Sequence, residues 1–225
     1  MGIVGRTGAG KSSVFAALLR LAEPERRASV ASGASGDSGV CGISVDGRDI
    51  ASVALGELRR GFCVIPQDPI LFAGDVRSNL DPLGCAGEGA LWAALEAAQL
   101  AGVVRACGGL GGRVDEHGAN FSVGQRQLLC LARAVLRRAA VLLVDEATAN
   151  VDADTDACIQ RAIREEFKGK TVVTVAHRLA TVMDSDIILV VGEGRALQCG
   201  PPGELLQDKG GALCALVAQQ KLVQA

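Results

Sequence analysis

The feature that most constrains the fold is a glycine loop near the start of the sequence. The loop consists of Gly5, Arg6, Thr7, Gly8, Ala9, Gly10, Lys11 and Ser12, with Ser13 directly after it. An apolar strand is predicted before it over residues 1–4, and helical spacing of apolar residues follows it from Ser12 to Pro24. Because glycines let backbone N–H groups face inward without a Cβ clash, this order predicts a phosphate-binding nest at a helix N-terminus. In such a nest we expect Lys11 to reach the β and γ phosphates and Ser12 to ligate Mg²⁺.

The composition agrees with a folded domain and argues against nucleic-acid binding and against a membrane-spanning helix. With 225 residues, 49% of them hydrophobic, the chain can bury a sizeable core. The net charge is −2 and lysine and arginine are scattered, so the sequence predicts no nucleic-acid partner. The longest apolar run, over residues 139–144, is far shorter than the roughly 20 residues that a membrane-spanning helix needs.

The eight cysteines are predicted to be small core residues in a reducing compartment. They form no CxxC pair and show no metal-ligand spacing with either histidine. Most of them lie in apolar or Gly/Ala-rich stretches. The cysteines therefore predict neither a metal site of their own nor a disulfide framework.

Patterns farther along the chain alternate between strands and helices. They predict strands at 43–45, 62–65, 141–144 and 171–176, helices at 87–106, 125–138, 154–167 and 212–223, a short helix after 176 and a hairpin at 187–198. Helix 125–138 is expected to turn Leu128, Leu131, Val135 and Leu136 inward. Residues 25–39 are small and polar and are predicted to be a flexible surface insertion. The pattern predicts an α/β fold, a P-loop NTPase core with a mostly parallel sheet.

Two carboxylates follow the predicted buried strand 141–144. A charge at the end of such a strand is costly unless it is used, and Mg²⁺ reached through a water is a natural partner for Asp145. Glu146 is then placed to orient and deprotonate an attacking water, a role typically worth about 10² to 10⁴ in rate. The alternative is a pair of acidic residues that simply cap the strand.

The glycine loop, VIPQDP with Gln67, FSVGQRQ, VDE and VAHRL together resemble the nucleotide-binding domain of ATP-binding cassette transporters. The resemblance covers nearly the whole chain and implies a single domain over 1–225 with a partial antiparallel β-subdomain and a helical subdomain at about 87–138. It also implies that ATP and Mg²⁺ are bound and that two such domains form a head-to-tail dimer around two ATPs. It assigns catalytic roles to Glu146, His177 and Gln67, metal binding to Ser12, Gln67 and Asp145, the contact with the partner's γ-phosphate to the signature Ser122, Val123, Gly124 and Gln125, and a dimer loop to Asp152.

Two of these residues have a plainer interpretation. A lone histidine after an apolar strand is usually a satisfied polar residue, so the spacing alone does not favour a function for His177. Asp152 suits a helix N-cap about as well as a dimer loop.

Several stretches resemble the multidrug-resistance-associated subfamily and in particular its second nucleotide-binding domain. They are PQDPILFAGDVRSNLDP, NFSVGQRQL, DEATANVD and AHRLATVMDSD. That domain keeps the catalytic glutamate but has an altered signature, in agreement with Glu146 and with Val123 in place of glycine. The resemblance implies ATP-powered export, transmembrane domains as partners and a location at the cytoplasmic face of a membrane.

The sequence departs from the family pattern before the glycine loop. Family members stack adenine on an aromatic residue roughly 25 positions before the loop lysine, a contact worth about 1–3 kcal/mol, whereas ten residues precede Lys11 and the chain has no tyrosine. The strands that precede the loop in the family, part of its antiparallel subdomain, are absent too. We therefore expect a fragment of a longer polypeptide or a truncated gene product. The alternatives to a transporter are a nucleotide-gated channel or regulatory protein, a soluble cassette ATPase, and an inactive fragment.

Overall fold

The computed structural model describes residues 1–22, 42–147, 151–176 and 178–223. Its strands are β1 (Gly2–Val4), β2 (Ser44–Val45), β3 (Arg48–Asp49), β4 (Phe62–Ile65), β5 (Gly74–Asp75), β6 (Arg113–Val114), β7 (Val141–Asp145), β8 (Thr171–Val175), β9 (Ile188–Gly192) and β10 (Arg195–Gly200). Its α-helices are α1 (Lys11–Leu18), α2 (Leu55–Arg60), α3 (Val76–Leu80), α4 (Glu88–Ala97), α5 (Ala101–Ala106), α6 (Val123–Arg137), α7 (Ala153–Glu166), α8 (Pro202–Leu205) and α9 (Ala212–Val223). Short 3₁₀ turns lie at Ile50–Ser52, Gly109–Gly111, Glu116–Gly118 and Leu179–Thr181.

A six-stranded sheet organises the fold in the order β10-β9-β1-β8-β7-β4. All neighbouring pairs are parallel except β9 and β10, which form an antiparallel hairpin. Strand β7 pairs with β4 and β8 on its two sides, and its Leu142 and Leu143 are fully buried. Such continuous apolar strands are typical of parallel sheets covered on both faces. The predicted α/β fold with a mostly parallel sheet is confirmed.

The carboxyl ends of three parallel strands bring predicted site residues to one edge of this sheet. The loop after β1 carries the glycines, the loop after β4 carries Gln67, and β7 ends at Asp145 with Glu146 next in the chain. Open α/β sheets bind their ligands at this edge. The topology therefore places distant parts of the sequence at one site.

Helix α6 packs on the sheet beside α4, and its buried face is only partly the predicted one. Leu131 is fully buried as predicted, whereas Leu128, Val135 and Leu136 are half-buried. The fully covered positions of the helix also include Gln127, Leu129, Cys130, Ala132 and Ala134. The helix is covered on more than one side because it lies between the sheet, α4 and α7, so a single apolar stripe describes it poorly.

Several predicted bounds are wrong. The helix that follows the glycine loop ends at Leu18, well before Pro24, because Arg20 adopts a left-handed φ of 49° and the N–H of Leu21 turns back to the carbonyl of Ala16. The helix predicted at 87–106 is two helices, α4 and α5, separated by Gln99 with a φ of 54°. The short elements α2, α3, α8 and the β5–β6 ribbon were not predicted. The strands β1, β4 and β8, the β9–β10 hairpin and α9 lie where the patterns place them, within a residue or two.

The cysteine prediction holds for two residues and fails for three. Cys63 and Cys130 are buried, and burial raises the pKa of both thiols. Cys85, Cys107 and Cys199 are exposed, so their small-residue neighbourhoods were a poor guide to burial. The insertion predicted at 25–39 lies outside the described residues. The helical subdomain at about 87–138 remains a prediction, and that range also holds strand β6.

Candidate functional site

The glycine loop forms a turn whose backbone donors are left open at the start of α1. Gly8 and Gly10 have φ values of 79° and 97°, which other residues rarely adopt. Gly10 is the N-cap, and no side chain caps the helix or places an acidic group in its first turn. Among the described residues, no side chain therefore occupies the first N–H groups of the helix, and these groups together with the positive end of the helix dipole favour an anion here.

Lys11 lies under this loop and holds its shape. Its side chain is 6% exposed, and Nζ donates to the carbonyl oxygens of Gly5 at 3.0 Å and Arg6 at 3.2 Å. A buried ammonium has three donors, and these two bonds use two of them. The remaining donor is available to a phosphate oxygen in the nest. Around it, Arg6, Thr7, Gly8, Ser12 and Ser13 are exposed, and Ala9 is buried.

The turn of the β9–β10 hairpin supports the loop from the side. The N–H of Gly194 donates to the carbonyl of Ala9 at 3.2 Å. A Cβ added to Gly5 would lie 2.1 Å from the carbonyl oxygen of Val191, so only glycine fits at that position. Sequence reasoning predicted the hairpin but not this contact, since nothing in a local pattern shows which turn lies beside which loop.

Asp145 lies next to the glycine loop at the end of β7. The hydroxyl of Ser12 donates to Oδ1 of Asp145 at 3.4 Å, which joins two residues far apart in sequence. Burial raises the pKa of Asp145 above its usual range, and the hydrogen bond from Ser12 and the charge of Lys11 partly offset that rise. The carboxylate thus lacks a full complement of partners for its charge in the described part of the chain.

Ser12 and Asp145 provide hard oxygen donors of the kind that Mg²⁺ binds, with further ligands drawn from phosphate and water. No group of three or more His, Cys, Asp or Glu residues that could hold a metal by itself occurs among the described residues. The pair therefore fits a magnesium ion that arrives with a nucleotide.

Glu146 has a strained backbone. Its φ is 46°, in the left-handed region, and its N–H donates to the carbonyl of Val175 at 3.0 Å. This bond extends the β7–β8 pairing by one residue and fixes where the side chain begins. Strain of this kind in a non-glycine residue is concentrated at functional sites.

Gln67 is exposed on the loop after β4. His177 lies outside the described residues, so its assignment stays a prediction.

The signature segment opens helix α6 with a capping box. Ser122 Oγ accepts from the N–H of Gln125 at 3.1 Å, and the N–H of Ser122 donates to Oε1 of Gln125 at 2.9 Å. Ser122 and Val123 are exposed, and Gly124 is buried where a Cβ would lie 3.1 Å from the side chain of Thr155. Within the described ranges no hydrogen bond joins this segment to the glycine loop, so the structure does not bring these two predicted parts together in one chain.

Asp152 caps helix α7. Its Oδ1 accepts from the N–H of Thr155 at 2.9 Å and its Oδ2 from the hydroxyl of Thr155 at 2.8 Å. The backbone bond and then the hydroxyl bond lower the pKa of Asp152. The N-cap interpretation is thus confirmed, and a dimer-loop role for the same residue stays a prediction.

Comparison with known proteins supplies the family. A family profile described as "ABC transporter" matches residues 1–149. The human protein "ATP-binding cassette sub-family C member 2" is 49% identical over 211 residues, which is 93% of this chain and 13% of the relative. "ABC transporter C family member 3" of Dictyostelium discoideum is 47% identical over 220 residues, 97% of this chain and 15% of the relative. The chain thus spans about an eighth to a seventh of these relatives.

A solved structure has the same fold. The protein titled "Structure of a bacterial Atm1-family ABC exporter with ATP bound" superposes with a TM-score of 0.84 and is 32% identical, with 97% of this chain and 36% of that chain covered. Across the residues that the structure describes, no helix has the length and apolar character needed to span a bilayer. The profile match over most of the chain and the identity to subfamily C proteins show that the chain belongs to the ABC transporter family, as a domain similar to those of subfamily C.

Proposed function

We propose that this chain binds ATP together with Mg²⁺ and hydrolyses it as the nucleotide-binding domain of an exporter. The observation that carries the proposal is the open glycine nest at the N-terminus of α1, with Lys11 beneath it and Ser12 bonded to Asp145 beside it. Helix dipole, backbone donors and a buried ammonium all favour the polyphosphate of a nucleotide at this place.

Ser12 and Asp145, together with Gln67, are the residues proposed to hold Mg²⁺. When bound, the ion neutralises charge that develops on the phosphate oxygens. Binding would also place a second positive charge, beside that of Lys11, next to the carboxylate of Asp145, whose pKa burial raises. Glu146 is proposed to accept the proton of the attacking water, with His177 beside the γ-phosphate.

The exposed signature end of α6 is proposed to face the nucleotide of a second nucleotide-binding domain. Support comes from the hydroxyl of Ser122, whose oxygen accepts from Gln125 and whose proton remains available to a phosphate oxygen. Asp152 is proposed to lie in the same dimer interface. The presence of Glu146 and of Val123 within the signature supports a match with the second domain of such a transporter.

Export itself is proposed from the relatives. The subfamily C proteins are several times longer than this chain, and the solved structure is titled an exporter. Transmembrane domains are therefore the proposed partners, and the cytoplasmic face of a membrane is the proposed location. The coarse expectation, an ABC domain that binds ATP, follows from the family.

The test is the variant Glu146→Gln in the purified chain. Stoichiometric ATP binding should persist because the nest and Lys11 are untouched, while phosphate release should fall by about 10² to 10⁴. Equilibrium dialysis with labelled ATP and a phosphate-release assay measure the two quantities separately.

Glu166→Gln is the matched control, because Glu166 is exposed at the end of α7 and lies outside the proposed site. It should change neither quantity. Failure of the wild-type chain to bind ATP would contradict the proposed function, and unchanged turnover in Glu146→Gln would remove that residue from it.

A further inference from the structure

Gln127 is a polar residue in the apolar body of helix α6, and neither the motifs nor the proposed site accounts for it. Its side chain is 1% exposed. Among the described residues, its Oε1 is the buried side-chain oxygen without a hydrogen-bond partner. An unpaired buried acceptor is costly, and an apolar side chain would avoid that cost.

The other end of the same amide is heavily used. Its Nε2 donates to the carbonyl of Ala147 at 2.7 Å, of Pro66 at 3.0 Å and of Gln67 at 3.2 Å. Reversing the amide would turn an oxygen toward three carbonyl oxygens, so these acceptors fix its orientation. The amide is therefore held with its NH₂ group toward the three carbonyl oxygens, and this orientation leaves its own oxygen unpaired.

The three acceptors belong to two different loops. Pro66 and Gln67 lie in the loop after β4, whereas Ala147 directly follows Glu146 after β7. The amide has two hydrogens for three carbonyl oxygens, so at least two of these oxygens share one hydrogen. One helix thus holds both loops through a single group.

We infer that Gln127 is a positioning residue that sets the β4 loop carrying Gln67 against the segment carrying Glu146. The inference rests on the proposed function for its consequence, since it ties the proposed metal-binding loop to the proposed base. The three bonds of the Gln127 amide join both loops to helix α6 at one point. Loss of the amide should uncouple the two loops without disturbing the phosphate nest.

The experiment compares Gln127→Met with Ala134→Gly in the purified chain. Methionine has a similar length and no donor, and it also removes the unpaired oxygen. Ala134 is fully buried on the same helix, and glycine there weakens the helix. Hydrogen exchange of peptides over 62–69 and 141–147 is measured, together with thermal unfolding.

Exchange in both peptides should be faster by about tenfold in Gln127→Met, because each loop loses the bond from the helix to its carbonyl oxygen and opens more readily. In Ala134→Gly the two segments should change no more than α6 itself does. An increase in one segment only, or equal increases in both variants, would overturn the inference.

Kinetic measurements give a second test, because a purely structural role would not lower the turnover number while leaving the affinity for ATP unchanged. In Gln127→Met the turnover number should fall about tenfold while the dissociation constant for ATP stays within about twofold of wild type, because the nest is intact. Failure of the wild-type chain to bind ATP would refute the proposed function and leave the exchange result to decide the positioning role. If both variants lost affinity for ATP and turnover in parallel, Gln127 would have only a structural role.

Discussion

The N-termini of α1 and α6 use the same backbone chemistry in opposite ways. Helix α1 begins at a left-handed glycine with no side-chain cap, so its first N–H groups are open. Helix α6 begins at Ser122, whose capping box with Gln125 satisfies donors at its own first turn. The first is an anion site built from backbone, whereas the second offers one hydroxyl proton and a helix dipole.

This difference predicts that the N-terminus of α1 governs affinity for the nucleotide and the N-terminus of α6 governs assembly of the dimer. An open nest with a buried ammonium can bind a polyphosphate in one chain. A self-capped end is stable without a ligand and adds only a modest attraction, which suits a contact made when a second domain arrives. We therefore expect changes at α1 to affect nucleotide binding and changes at α6 to affect dimer formation.

The largest expected effect comes from Ser122→Asp. Aspartate keeps the N-cap, so the free energy of unfolding should change by less than about 0.5 kcal/mol. Its charge would face the partner's phosphate, and such like-charge contacts cost several kcal/mol. In a Glu146→Gln background, sedimentation with ATP should show the dimer lost. If the dimer persisted, the signature end of α6 would not face an anion, and the expected difference between α1 and α6 would be wrong.

Ser122→Ala is the matched control. It removes the cap and should lower the free energy of unfolding by about 1 kcal/mol, while the dimer is weakened much less than by aspartate.

Lys11→Met should give the next largest effect, on nucleotide affinity. It removes a charge-assisted contact worth about 1.5–3 kcal/mol, so the dissociation constant for ATP should rise roughly 10- to 100-fold. Titration calorimetry measures the change. The exposed Lys209 gives the control Lys209→Met, which should bind ATP as the wild type does. Equal losses in both variants would mean that net charge, and not the nest, sets the affinity.

Asp145→Asn should give the smallest effect, and it should be stabilising. Because burial raises the pKa of Asp145 in the folded chain, folding favours the protonated form. The carboxyl's contribution to stability is therefore full below the unfolded value of 3.8 and is lost as the pH rises through the folded value. Asparagine avoids that loss, so urea unfolding at neutral pH should show a gain below about 1 kcal/mol, since the group is partly exposed.

The gain should vanish in acid, and the exposed Asp184→Asn should show no comparable gain at neutral pH. A loss of stability in Asp145→Asn at neutral pH would mean that the ionised group is favourably held without a nucleotide.

The parts of the fold that were predictable have strong local signals. The glycine loop, the apolar strand β7 and the turn at Gly194 each depend on neighbours in sequence, and the structure has these elements where they were expected. The break at Gln99 carries no glycine or proline, so an uninterrupted helical pattern hid it. Periodicity cannot show a helix covered on several sides, and for this reason the buried face of α6 was mispredicted.

The site was predictable as a set of motifs but not as a set of contacts. The proximity of Ser12 and Asp145 follows from the strand order, which no local pattern contains. Gln127 belongs to the FSVGQRQ stretch, but no role was predicted for it, because only the structure shows which loops its amide reaches. The roles of Gln67, Glu146 and Asp152 in catalysis or dimer formation remain predictions.

The position of β1 inside the sheet affects when the nest can form during synthesis. Gly2 pairs with Thr174 on one side and with Ile188 on the other, so the strand before the glycine loop meets these two sheet partners only after β8 and β9 have been made. Pairings this distant in sequence slow folding. The hairpin turn at Gly194, which bonds the glycine loop, is also made only after β9. We therefore expect the nest to form late in folding, and a chain interrupted before β9 would lack the neighbours that hold the glycine loop.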